Sequence, residues 1–165
     1  MIIIEGLNGT GKTALAKKLC KDLDFEIHKF LKIPATQEEF DQQVQKSISL
    51  IDKPVIQDRC PMISEPIYGT YNRDELFMSL SVGKKIILKH KPILIWTDTL
   101  HPKPRRRLNY VEKIVKSYSL FFMTLKWSKS MLLLWNYATI DYDYFLKYKV
   151  LPAISWRKKE QDATR

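Results

Sequence analysis

Short apolar runs bounded by turn formers alternate along this chain with longer stretches in which apolar side chains recur every three or four positions. That alternation predicts βαβ units around a buried parallel sheet. The runs place strands at Met1 to Glu5, Phe25 to Phe30, Val55 to Gln57, Ile93 to Thr97 and Met131 to Tyr137. The helical spacings fall between them. Ala14, Leu15, Leu19 and Leu23 mark a helix over Thr13 to Leu23, and Phe40, Val44, Ile48 and Ile51 mark a polar-rich one over Glu38 to Ile51. Further helices are predicted over Asp74 to Lys89, weakened at Gly83, over Tyr110 to about Trp127, and near Tyr142 to Leu151. The pattern shows no internal repeat and no linker, so it reads as a single α/β domain.

Composition supports a folded core. Of 165 residues, 45% are hydrophobic and 12% aromatic, enough to bury a sizeable interior. No stretch approaches a membrane span, and the first residues lack the basic n-region and small-residue cleavage site of a signal peptide, which points to the cytoplasm. Cys20 and Cys60 have no CxxC companion and read as reduced thiols. His28, His90 and His101 have no metal-ligand spacing, and Trp127, Trp135, Tyr142 and Tyr144 read as packing aromatics. A formal charge of +10 will attract polyanions, nucleotide or nucleic acid alike. Part of it lies in Arg157, Lys158 and Lys159, within a basic tail at 156–165 read as a solvated, frayed end beyond a domain at 1–155.

Parallel sheets of this kind bind ligands beyond the carboxyl ends of their strands, and the motifs fall there. Gly6-Leu7-Asn8-Gly9-Thr10-Gly11-Lys12-Thr13 fits GxxxxGK[ST] directly after the first strand and before the first helix. Three of the protein's five glycines stand in it, where the chain must turn tightly and bring bare N–H groups up to phosphate oxygens. The residues Asn8, Gly9, Thr10, Gly11, Lys12, Thr13 and Ala14 are therefore assigned to an ATP phosphate cradle. Lys12 would reach the β- and γ-phosphates, and Thr13 would offer its hydroxyl to Mg²⁺.

Asp58 and Arg59 end the third strand. At that edge Asp58 could hold Mg²⁺ or take a proton from the acceptor, and Arg59 could clamp the acceptor's phosphate with its planar fork. The next segment carries Ser64, Glu65 and Tyr68, which read either as a capped turn before a helix, with Ser64 as cap and Pro66 in the first turn, or as acceptor contacts. A loop at about 98–109 holds Arg105, Arg106 and Arg107 between prolines and the next helix, and could serve as a lid whose arginine neutralises the moving phosphoryl group.

With these pieces in place, the chain resembles the thymidylate kinase and deoxynucleoside kinase family, in particular its compact phage or viral members. The resemblance rests on the glycine loop preceded by Ile4-Glu5, on Asp58-Arg59 through Ser64-Glu65-Pro66-Ile67-Tyr68-Gly69, and on Tyr118-Ser119-Leu120-Phe121 with Asn136-Tyr137. It implies a three-layer P-loop NTPase domain, a five-stranded parallel sheet of order 2-3-1-4-5, ATP with Mg²⁺, and a nucleoside or nucleoside monophosphate as acceptor. Two places depart from the family pattern: Asn8 stands where an acid is usual, and His28-Lys29-Phe30-Leu31-Lys32 replaces an acidic-proline element. Lys29 and Phe30 then occupy the region that would meet the acceptor's phosphate and base.

The primary expectation is ATP-dependent transfer to a (deoxy)nucleoside monophosphate, with a deoxynucleoside kinase or a polynucleotide 5'-kinase as alternatives. A nucleotide-binding regulatory module without catalysis is the reading of a different class. Nucleic acid is open as a partner but not favoured, and a homodimer is left open. A GTPase switch is disfavoured, because no NKxD reads guanine.

Overall fold

The computed structural model describes residues 1–30, 33–72, 75–97, 108–126, 132–136 and 139–163. Along the chain run β1 (Ile2–Gly6), α1 (Lys12–Leu23), β2 (Glu26–Lys29), α2 (Gln37–Ser49), β3 (Val55–Asp58), α3 (Pro61–Asn72) and α4 (Leu80–His90). They are followed by β4 (Ile93–Thr97), α5 (Leu108–Lys126), β5 (Leu132–Trp135), α6 (Tyr142–Phe145), a π-helical turn at Leu146–Val150 and α7 (Leu151–Ala163). The strands form one parallel sheet of order β2-β3-β1-β4-β5, as the resemblance implied.

β1 and β4 are rich in isoleucine and leucine because both of their faces are covered. Ile3 and Leu94 face a core built with Phe40, Met62, Ile67, Ile87, Ile114 and Phe121. Ile2, Ile4, Ile56 and Ile95 face the other, with Leu15, Leu19, Trp135, Phe145 and Val150. Each fully buried isoleucine contributes roughly 2 kcal/mol of burial energy. Packing on two sides therefore fixes where β1 ends, and with it the position of Glu5 and the glycine loop.

Helix ends follow local chemistry. Thr36 caps α2 by accepting the Glu39 N–H at 3.2 Å, and Ser79 caps α4 by accepting that of Val82 at 3.4 Å. The helix expected from Asp74 therefore begins only at Leu80. Residues 75–79 instead approach α3, where the Phe77 N–H donates to Glu65 Oε1 at 3.0 Å.

Three expectations need correction. The segment after Arg59 is not a turn capped by Ser64 but the helix α3, with Pro61 at its first position, where a missing N–H costs nothing. Pro66 lies inside that helix and offers no N–H to the Met62 carbonyl. Gly83 of α4 packs against that same carbonyl: a Cβ there would lie 2.1 Å from Met62 O. The glycine expected to weaken α4 is thus the point at which α3 and α4 come together. Residues 156–163, expected as a frayed tail, instead continue α7. Arg157 ties them down, donating to His90 O at 3.1 Å and lying 3.5 Å from Asp52 Oδ1.

Candidate active site

The glycine loop is set by backbone conformations that other residues rarely adopt. Gly9 and Gly11 have φ of 83° and 79°. A Cβ on Gly9 would meet nothing within 4 Å, so the loop presents bare backbone to open space. Gly6 is jammed instead, since a Cβ there would lie 2.2 Å from Thr97 Oγ1. The Thr97 hydroxyl donates to Glu5 O at 3.0 Å and stands 2.7 Å from Thr10 Oγ1, while Thr10 donates to Leu7 O at 2.8 Å. These contacts pin the loop to the end of β4.

Lys12 is buried, and its ammonium donates to Leu7 O. Burial, then the Arg59 charge, lowers its pKa to about 8, against support from Glu5 and Asp58. Beside it the Thr13 hydroxyl donates to Asp58 Oδ2 at 2.6 Å, and Lys29 Nζ lies 3.6 Å from the same oxygen. Asn8 and Ala14 are exposed at the two ends of the loop.

Arg59 has a left-handed φ of 71°, and its N–H donates to Ile4 O at 3.0 Å. That backbone turns its side chain back across the end of β1. The guanidinium donates to Asn8 Oδ1 at 2.6 Å, lies 3.9 Å from Glu5 Oε2, and sits 5.0 Å from the Tyr68 ring centroid. Burial opposes its charge, but Glu5, aided by Tyr118 and Tyr68, holds it above its ordinary value.

Glu5 is the residue that motif reading missed as part of the site. It is 1% exposed and accepts from the Cys60 N–H at 2.6 Å, the Ser64 hydroxyl at 3.0 Å and the Tyr118 hydroxyl at 2.9 Å. Burial pushes its carboxyl up, against Arg59 and these donors. An acid closing an otherwise apolar, doubly covered strand was the available signal. Tyr118, 113 positions away, left no such local trace.

The structure brings Asn8, Gly9, Thr10, Gly11, Lys12, Thr13, Lys29, Asp58 and Arg59 to one end of the sheet. Tyr68 joins them through Arg59, and Ser64 through Glu5. Glu65 is buried and turned to Phe77. Phe30 lies edge-on to His28, at 4.8 Å between centroids, and lines a shallow depression of 330 Å³ with Glu39, Gln42, Gln43 and Lys46. Arg105, Arg106 and Arg107, with most of the expected lid, lie outside the described residues.

A five-stranded parallel sheet of this order, with a glycine loop between its first strand and first helix, is the fold that the resemblance implied. Solved structures agree. The chain is similar to the YorR protein of Bacillus subtilis, crystallised with phosphorylated GDP, at 19% identity and a TM-score of 0.68 over 96% of this chain and 97% of that one. It is similar to deoxyadenosine kinase from M. mycoides with bound dCTP (19%, TM-score 0.54, 94% and 100% covered). It is also similar to thymidylate kinase from Ehrlichia chaffeensis (15%, TM-score 0.53, 93% and 97% covered). Thymidylate and deoxyadenosine kinases are thus among its structural neighbours, as the motifs suggested, and at these identities the likeness is one of fold. No protein-family model matches the sequence, and no curated protein matches it either.

Proposed function

We propose that this protein transfers the γ-phosphoryl group of ATP to a (deoxy)nucleoside monophosphate. The observation that carries the reading is the cluster at the ends of β1 and β3. There Thr13 Oγ1 and Asp58 Oδ2 stand 2.6 Å apart beside the buried Lys12, with Lys29 and Arg59 flanking Asp58.

Thr13 and Asp58 offer a hydroxyl and a carboxylate oxygen next to a phosphate cradle, the hard donor set that suits Mg²⁺ shared with a nucleotide. Among the described residues no group of three His, Cys, Asp or Glu forms a metal cage, so the nucleotide would complete such a site. When bound, the ion neutralises charge on the triphosphate. Lys12 and the loop amides around Gly9 and Gly11 hold the triphosphate and orient its terminal group. On the acceptor side Arg59 is fixed by Asn8 and Glu5, while Lys29 is half exposed.

Two cations suit an acceptor that brings its own negative charge. A phosphate monoester oxygen at neutral pH is largely deprotonated, so it can attack without surrendering a proton. A nucleoside hydroxyl would need a base, and Asp58 is the carboxylate that could take its proton. The nucleotides held in the similar YorR and deoxyadenosine kinase structures support a nucleotide as ligand.

The test is ADP release from ATP and Mg²⁺ against nucleosides, their monophosphates and a 5'-hydroxyl oligonucleotide. Release that depends on a monophosphate is expected. Release with nucleosides or the oligonucleotide alone would move the protein to another kinase class, and ATP binding without release under any condition would leave a regulatory module.

A further inference from the structure

The C-terminal helical segment carries a feature that phosphoryl transfer does not use. From Tyr144 to Lys159 the sequence holds Lys147, Lys149, Arg157, Lys158 and Lys159 and not one acid. Phe145, just before the π-helical turn, and Val150, its last residue, turn inward and leave residues 147–149 exposed between them. Tyr144 and Tyr148 are 51% and 55% exposed and pack against each other, with centroids 5.1 Å apart. Pro152 and Trp156, at the same spacing further along the segment, are exposed as well. Lys147 Nζ lies 5.3 Å from the Tyr148 ring centroid. Arg157 is already committed to His90 O and Asp52, which leaves the four lysines with no carboxylate of their own stretch. Asp52 and His90 precede β3 and β4, so this end of α7 lies at the amino edge of the sheet, opposite Asp58.

We infer that this aromatic and lysine face binds single-stranded nucleic acid. Exposed rings give unpaired bases a surface to stack on, and the lysines meet the phosphates that such a strand carries. A second copy of the chain on this face would set lysines against lysines. A lipid surface would call for a broad aliphatic stripe, and Leu151 is the single exposed large aliphatic side chain between Tyr144 and Trp156. A duplex would keep its bases away from the rings. This inference stands apart from the proposed kinase activity and survives its failure.

The probe is an oligothymidine of about 20 nucleotides, longer than a single stacking site, with the fluorophore joined at its 5' end so that neither a 5'-hydroxyl nor a terminal phosphate monoester remains as an acceptor. Anisotropy is read with the full chain in saturating ATP and Mg²⁺, so that the glycine loop is occupied. Binding should weaken with salt with a log–log slope near −3, about 0.7 for each of the four lysines. Tyr148→Ala and Trp156→Ala should each weaken it roughly tenfold, whereas Tyr148→Phe, which keeps the ring, should not. Lys147→Gln with Lys149→Gln should flatten the slope by about 1.4. Turnover of ATP should be unchanged in all of them. Absent binding, binding indifferent to the ring variants, preference for duplex, capture by phosphatidylserine vesicles in place of the oligonucleotide, or self-association through these residues would each overturn the inference.

Discussion

Glu5 and Asp58 stand at the carboxyl ends of adjacent strands and are 1% and 2% exposed, yet the groups around them differ in kind. Glu5 is enclosed by fixed donors from three parts of the chain: the Cys60 N–H, the Ser64 hydroxyl of α3 and the Tyr118 hydroxyl of α5, with Arg59 beyond. None of these can be traded for a ligand without opening the core. Asp58 has the hydroxyl of Thr13 in the first turn of α1 and the half-exposed ammonium of Lys29. Both partners can turn toward an incoming phosphate or ion. Equal burial therefore hides two settings, one carboxylate locked among fixed donors beside Arg59 and one whose partners leave it open to the chemistry proposed above.

The sharpest way to break that comparison is Asp58→Asn, which keeps the shape and removes the charge. Turnover should fall by about 10³ while the melting temperature stays nearly unchanged, because Asp58 would help Thr13 hold Mg²⁺ in the proposed reaction, and losing one group that steadies developing charge costs on the order of 10²–10³. Steady-state kinetics and a thermal melt decide it. A collapsed melting temperature with intact turnover would mean that Asp58 is the structural acid. Glu5→Ala should do the reverse, costing about 3 kcal/mol in urea unfolding by leaving Arg59 uncompensated and buried donors unmet. Its pH dependence carries a sign. Burial raises the Glu5 pKa above 4.5, so the stability it contributes is full below 4.5 and declines as pH rises through the raised value. The penalty of Glu5→Ala should therefore shrink with rising pH across that window, and a penalty that grows would place Glu5 among ordinary stabilised carboxylates.

The same contrast explains what could be read in the sequence. The glycine loop and the Asp-Arg pair are local, because each needs a fixed residue type at a fixed strand end, and both sit where the pattern put them. Strand order followed from the resemblance and holds in the sheet. What escaped were long-range partnerships. Tyr118 reaches Glu5 from α5, and Gly83 earns its place by meeting the Met62 carbonyl beside Pro66, which by local rules reads as a helix start rather than a helix interior. Arg157 lies in a run that reads as solvated, yet its fork finds His90 O and Asp52. Spacing along a chain reports the period of an element, and it is silent on which carbonyl another helix will cover.

The gentlest probe of the two carboxylates is Lys12, which feels both. Its pKa is lowered to about 8 by burial and by Arg59, and Glu5 supports its charge more than Asp58 does. In the proposed reaction triphosphate binding would draw on the ammonium form. Affinity for ATP, measured by calorimetry, should accordingly be flat up to about pH 8 and then fall roughly tenfold, or about 1.4 kcal/mol, per pH unit. In Glu5→Ala, examined in the alkaline range where its stability penalty is smallest, the break should move to lower pH. In Asp58→Asn it should move in the same direction but less far. If the order were inverted, the electrostatic hold on Lys12 would come from the open carboxylate, and the sealed one would serve Arg59 alone.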